Sequence, residues 1–147
     1  VMRHQYQGQK LSCVLATMAM LADRPLAELE AMFEQEASYD AKDKERMATW
    51  LKIKDAIGLA GFQLPWANVN GNTGNFTGSD AMPSLVGKGW IHVHISGFAY
   101  HAIAYEDGLI YDSSDDSPEG IQGRTLEAYL VNRNKSLSDI VVYPLKA

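Results

Sequence analysis

The segment that decides the fold, residues 89–112, has the sequence GWIHVHISGFAYHAIAYEDGLIYD. Apolar and polar side chains alternate strictly over residues 90–95, which predicts a half-buried strand. Further along, Asp107-Gly108 is a strong signal for a two-residue hairpin turn between two more strands. A last strand is predicted at residues 140–143, so the second half of the chain predicts an antiparallel sheet.

Helical patterns occupy the first half of the chain. Ser12 is a suitable N-cap for a helix over residues 13–22, in which apolar side chains recur at helical spacing. A second helix is predicted to start at Pro25 and a third to cover residues 44–59. Helices followed by strands indicate an α+β fold with segregated halves, and 147 residues fit a single domain spanning 1–147.

Two other segments have a clear character. Residues 68–78 alternate Asn with Gly and predict a long loop, which in a compact domain is usually functional. A short helix is predicted near residues 126–131, after an acidic loop.

The composition excludes several classes of protein. One cysteine excludes an internal disulfide framework and a multi-cysteine metal site within one chain. Thirteen Lys and Arg against 18 Asp and Glu, a net charge of −5, indicate no nucleic-acid partner. No apolar run approaches the roughly 20 residues of a membrane span. We therefore expect a soluble domain that is cytoplasmic, or delivered or secreted as an effector without a visible signal peptide.

Cys13 is the first residue of a predicted helix. The unpaired N–H groups and the dipole at a helix N-terminus stabilise negative charge, which favours a reactive thiolate. Most cysteines are instead small buried residues of the core. The position therefore indicates a nucleophile only if a base lies beside it.

His101 and Asp112 provide a candidate base and its orienting group. If the hairpin loop is residues 107–108, Glu106 faces Leu109. Counting outward then makes His101 and Asp112 diagonal neighbours on one face, roughly 7–8 Å apart. A carboxylate there would hold the imidazole in the orientation that a nucleophile's base requires. The alternative for Asp112 is a turn residue at the end of the strand.

An acyl-transfer site also needs a donor for the developing oxyanion. Gln5, Gln7 and Gln9 all precede the cysteine, and a side-chain amide could act beside the backbone N–H of Cys13. Spacing alone does not choose among the three glutamines.

Taken together, these residues resemble the active-site segments of papain-like cysteine peptidases. Gln7, five intervening residues and Cys13, followed by the sequence VLATMAMLA, resemble most the bacteriocin-leader-processing family and its free-standing bacterial relatives. Residues 89–105 resemble the family's strand, short gap and histidine-led strand. Residues 111–114 resemble the segment with the third member of the triad. The resemblance covers most of the chain.

The resemblance implies a papain-like fold, with a helical half packed on an antiparallel sheet. It implies Cys13 as nucleophile, His101 as general base, Asp112 as the group that orients His101, and Gln7 as an oxyanion donor. It also implies a protein or peptide substrate, a thioester intermediate, and neither a cofactor nor a metal. Deamidation or transamidation uses the same residues and stays open.

The chain departs from the family in three places. Ser12 and Val14 stand where the family often has an acidic residue and a glycine. The interval from His101 to Asp112 is shorter than in the leader-processing enzymes, and the loop at residues 68–78 has no counterpart. The departures leave the substrate open.

Two rival functions also follow from the residues. His92 and His94 share a strand face and could bind a metal with His101 as third ligand, although a cleft-lining or solvated pair is the more common arrangement. The domain could also be a catalytically silent module that binds a protein. Trp66, Trp90 and His94 are the candidates for contacting substrate.

Overall fold

The computed structural model describes residues 2–7, 13–32, 43–59, 61, 76–77, 85–96, 99–114 and 124–145. Several features singled out in the sequence lie outside these residues: Gln9, Ser12, Trp66, the acidic loop, and the 68–78 segment except for residues 76–77.

Three helices come first along the chain: α1 (Cys13–Ala22), α2 (Leu26–Met32) and α3 (Asp43–Ala56). The predicted bounds of α1 are confirmed. Helix α3 ends three residues before the predicted end at residue 59. The reason is local, since Gly58 has a φ of 68° and the N–H of Leu59 donates to the carbonyl of Lys54 over 2.9 Å. A left-handed residue with this hydrogen bond closes a helix.

The strands form one antiparallel sheet in the order β1-β6-β2-β3-β4-β5. Their bounds are β1 (Phe76–Thr77), β2 (Lys88–Ser96), β3 (Ala99–Glu106), β4 (Leu109–Tyr111), β5 (Arg124–Thr125) and β6 (Ile140–Pro144). Glu106 pairs with Leu109, so the predicted hairpin register is confirmed. Strand β1 lies inside the segment predicted as a loop, because Phe76 and Thr77 pair with β6.

Apolar side chains bury both faces of the sheet. On one face, Trp90 and Tyr143 belong to a core with Met18 of α1 and Ile53 of α3. On the other face, a second core includes the following residues of the sheet and of the last helix: Ile91, Val93, Ile103, Leu126, Tyr129 and Leu130. The prediction of a half-buried β2 strand is therefore wrong over residues 90–93, because both faces of that stretch are covered.

The last helix, α4 (Leu126–Asn132), begins at Thr125, whose hydroxyl accepts a hydrogen bond from the N–H of Ala128 over 3.2 Å. A 3₁₀ turn, Leu137–Asp139, then leads into β6. Helices packed against an antiparallel sheet confirm the α+β class. Within the described part of the chain, no helix has the length and apolar character to cross a membrane.

Candidate active site

Cys13 is the first residue of α1, and its side chain is mostly enclosed, with 7% of the residue exposed. Helix α1 packs against β3, the strand that carries His101. This packing brings the thiol within hydrogen-bonding reach of the His101 ring. Cys13 and His101 also line the same cavity.

His101 lies opposite Val93 in the register between β3 and β2. Its Nε2 atom is 2.6 Å from Oδ1 of Asp112, and its side chain is 14% exposed. The neighbour relation that the hairpin register predicted for His101 and Asp112 is present. Because Nε2 is used by the carboxylate, Nδ1 is the ring nitrogen left to face the thiol.

The Asp112 carboxylate is 2% exposed and accepts hydrogen bonds on both oxygens. Besides His101, its donors come from the adjoining turn, from α4 and from the residue that caps α4: the N–H and hydroxyl of Ser114, at 2.9 and 2.7 Å, the hydroxyl of Tyr129, at 2.7 Å, and Nη2 of Arg133, at 2.9 Å. Such a carboxylate is rigid, because each oxygen has fixed donors.

These contacts shift the protonation of the pair in opposite directions. Burial by itself would lower the pKa of His101, but the hydrogen bonds with Asp112 and Cys13 and their negative charges outweigh it, raising the pKa from 6.5 to about 10. Burial would raise the pKa of Asp112, yet the bonds from His101, Tyr129 and Ser114 hold it well below its usual range. At neutral pH the site therefore contains an imidazolium and a carboxylate.

The structure describes two of the three candidate glutamines, Gln5 and Gln7, and they make different contacts. The amide of Gln5 joins the turn between α1 and α2, donating to the carbonyl of Arg24 over 2.6 Å and accepting from the N–H of Leu26 over 2.5 Å. Gln7 instead lies beside Ser113 and lines the same cavity as Cys13. Of the described pair, Gln7 is the glutamine that lines this cavity.

A cavity of about 390 Å³ joins these groups. Its lining residues come from the N-terminal segment, α1, the sheet, the turn after β4, α4 and the segment that follows α4: Gln7, Cys13, Val93, Ile95, His101, Ser114, Tyr129, Arg133 and Lys135. Val93 and Ile95 contribute apolar side chains to this lining, and His101, Arg133 and Lys135 contribute charged or ionisable ones. A bound group could therefore contact the thiol and the imidazole while resting on an apolar surface.

Trp90, His92 and His94 lie on the opposite face of the sheet from His101. Because His101 pairs with Val93, side chains one residue away on β2 point to the other side. Trp90 is 1% exposed and stacks on Tyr143, with 4.4 Å between ring centroids. Neither Trp90 nor His94 lines the cavity, so the structure places both away from the position predicted for substrate contacts.

The same alternation separates the three histidines considered for a metal. Burial, together with the nearby charge of His94, lowers the pKa of His92 to about 4. Its ring lies 3.8 Å, centroid to centroid, from the ring of Tyr100. Among the residues that the structure describes, no group of three metal-binding side chains comes together.

Sequence reasoning missed the residues that hold Asp112 and Gln7. Tyr129 and Arg133 are four positions apart, a spacing that places two side chains on one helix face. This spacing was the sequence pattern that could have indicated two neighbouring donors to Asp112. The contact of Ser113 with Gln7 spans 106 positions, and no local pattern marks it.

The chain was compared with models of protein families, with curated proteins and with solved structures, and none of the three comparisons found a match.

Proposed function

We propose that the protein is a thiol-dependent acyl-transfer enzyme, a papain-like cysteine peptidase that hydrolyses a peptide or isopeptide bond. The observation that carries the proposal is the position of His101, between the thiol of Cys13 and the buried carboxylate of Asp112. This is the nucleophile, base and orienting group that acyl transfer needs. Their order along the chain agrees with the family resemblance.

In the first half of the reaction, the Cys13 thiolate attacks the carbonyl carbon of the scissile amide and forms a tetrahedral oxyanion. The backbone N–H of Cys13 and the Gln7 amide donate to that oxygen. The C–N bond then breaks, and the imidazolium of His101 gives its proton to the leaving amine. The products are a thioester on Cys13 and a free amine.

In the second half, water attacks the thioester carbonyl. Neutral His101 takes a proton from the water, and the C–S bond breaks. The acyl group leaves as a carboxylic acid, which then loses its proton to solvent. The sulfur departs as the thiolate, which restores the starting pair with protonated His101.

Asp112 acts through His101 in both halves. Its charge stabilises the imidazolium that starts the first half and re-forms in the second, and its hydrogen bond keeps Nδ1 toward the sulfur. Tyr129 of α4 and Arg133, the residue that caps this helix, hold the carboxylate in place, so they fix the imidazole indirectly. The cavity offers space for a peptide group next to the thiol.

Thiol reactivity provides the first test. An ordinary thiol is only about 0.3% ionised near pH 6, so its alkylation there is slow. We expect iodoacetamide to modify Cys13 at that pH at least roughly tenfold faster than in His101→Ala, because the imidazolium stabilises the thiolate. Alkylation that has the same pH dependence in both proteins, half-maximal near 8.5, contradicts the proposal.

Turnover provides the second test. A peptide library is incubated with the protein in H₂¹⁸O and compared by mass spectrometry with the same incubation of Cys13→Ala. Hydrolysis gives shortened peptides with ¹⁸O in the new carboxylate, deamidation gives a mass increase without cleavage, and transamidation gives amine adducts. Peptide cleavage that persists in Cys13→Ala, or a wild-type protein that changes no peptide, overturns the proposal.

A further inference from the structure

We infer that Ser113 is a positioning residue for the oxyanion site: it binds the carbonyl end of the Gln7 amide and thereby turns the NH₂ end away from itself. The inference rests on the proposed function, in which the Gln7 amide would donate to the oxyanion. It states that the buried hydroxyl of Ser113 sets the orientation of that amide. Ser113 touches neither the thiol nor the imidazole in the contacts of the described residues, so it would act through Gln7.

Two contacts join Ser113 to Gln7. The Ser113 hydroxyl donates to Oε1 of Gln7 over 2.5 Å, and the Ser113 carbonyl accepts from the backbone N–H of Gln7 over 2.8 Å. Ser113 is completely buried, at 0% exposure. One residue thus fixes both the main chain and the side chain of Gln7.

The direction of the amide follows from the needs of the buried hydroxyl. Oε1 of Gln7 is the acceptor that the described residues offer to the Ser113 proton. If the amide turned over, its NH₂ group would face the hydroxyl and that proton would lose its acceptor. A buried donor without an acceptor is costly, so the orientation with NH₂ away from Ser113 is preferred.

The same turn also organises the imidazole. Asp112, immediately before Ser113, binds His101, and Ser114, immediately after it, donates to Asp112 through its N–H and its hydroxyl. Three consecutive residues therefore act on two different groups of the site. Asp112 and Ser114 act on the base, whereas Ser113 acts on the amide.

Two reactions of the same thiol separate these roles. Acylation by p-nitrophenyl acetate forms a thioester and releases p-nitrophenolate, and it passes through a tetrahedral oxyanion. Alkylation by iodoacetamide displaces iodide from carbon and forms no oxyanion. The ratio of the acylation rate to the alkylation rate therefore reports the oxyanion site independently of thiolate formation.

For Gln7→Ala we expect the ratio to fall about 100-fold, as for loss of one oxyanion donor. For Ser113→Ala we expect a fall of about 5- to 30-fold, equivalent to one hydrogen bond, with the alkylation rate unchanged. In the double variant the ratio should match Gln7→Ala within about twofold, because Ser113 has nothing left to orient. Ser114→Ala is the control, and it should slow both reactions together.

Ser113→Gly provides a second hydroxyl-free variant if Ser113→Ala does not fold. A ratio that is unchanged in the hydroxyl-free variant while Gln7→Ala lowers it overturns the inference, and so does a loss that adds fully to that of Gln7→Ala. A wild-type thiol that is not acylated, or that reacts like an ordinary thiol, is instead a failure of the proposed function.

Discussion

Replacing Asp112 with asparagine removes the negative charge that His101 and Arg133 share. Oδ1 lies 2.6 Å from Nε2 of His101, Oδ2 lies 2.9 Å from Nη2 of Arg133, and the residue is 2% exposed. Loss of one partner leaves the others uncompensated in a buried position. We therefore expect the free energy of unfolding to fall by about 3–5 kcal/mol near pH 6.

The protonation of His101 makes this loss depend on pH. Because the pKa of His101 is raised from 6.5 to about 10, the charged ring stabilises the fold fully below pH 6.5, and the contribution is lost as the pH rises through about 10. The pKa of Asp112 is lowered, so its contribution is present above its ordinary value of 3.8 and is lost as the pH falls below it. The stability gap between wild type and Asp112→Asn is therefore widest between about pH 4 and 6.5.

The pKa of His101 sets an upper limit on how far the stability gap between wild type and Asp112→Asn can narrow as the pH rises. The change in the His101 pKa corresponds to roughly 5 kcal/mol at about 1.4 kcal/mol for each tenfold change in proton affinity. Part of that value comes from Cys13, and the 14% exposure of the ring allows some solvent screening. We expect the gap to narrow by about 1–3 kcal/mol between pH 6 and pH 10.

Urea-induced unfolding of both proteins at pH 6, 8 and 10 measures the gap. Asp23→Asn is the matched control, since Asp23 pairs with Arg3 and both side chains are 68% exposed. The control should stay within about 0.5 kcal/mol of the wild type. A gap for Asp112→Asn that is constant, or that widens toward pH 10, would refute the assignment of a charged His101 beside Asp112.

Two further predictions concern buried groups away from the cavity. Among the described residues, Thr17 of α1 has a buried hydroxyl without a hydrogen-bond partner, so Thr17→Val should raise the free energy of unfolding by about 1 kcal/mol, whereas Thr17→Ser, which keeps the hydroxyl, should lower it. Urea unfolding decides between these outcomes, and a destabilised Thr17→Val would contradict the reasoning. The lowered pKa of His92 keeps its ring neutral, so its NMR shifts should stay constant from pH 8 to about pH 5 and move only toward pH 4. Its contribution to the free energy of unfolding should already decline as the pH falls below 6.5, where His92 becomes protonated in the unfolded chain, and should level off below about pH 4. An NMR titration midpoint near pH 6.5 for the His92 ring would contradict the burial of this side chain.

Elements that are determined by residues close together in the sequence could be predicted from the sequence. The bounds of α1 follow from its apolar spacing, and the pairing of Glu106 with Leu109 follows from the two-residue turn between them. That register is what placed His101 beside Asp112. The predicted end of α3 at residue 59 was wrong, because Gly58 with its positive φ already lies outside the helix, which ends at Ala56.

Burial of the sheet could not be predicted in this way. The alternation over residues 90–95 predicted one covered face, but α4 covers the face that carries Ile91 and Val93, and α1 covers the face that carries Trp90. A period of two reports which side chains share a face. It does not report how many faces other elements cover.

By itself, the sequence determined the α+β class, the start of a helix at Cys13, and the hairpin that brings His101 to Asp112. Turn geometry and side-chain periodicity act over a few residues, so they can be recognised in the order of the chain. Only the tertiary structure decided that Gln7 rather than Gln5 lines the cavity, that Ser113 holds it, and that α4 and its C-cap residue provide two of the donors to Asp112: Tyr129 and Arg133. Those contacts join residues from 17 to 106 positions apart, and packing of the helices on the sheet is what brings them together.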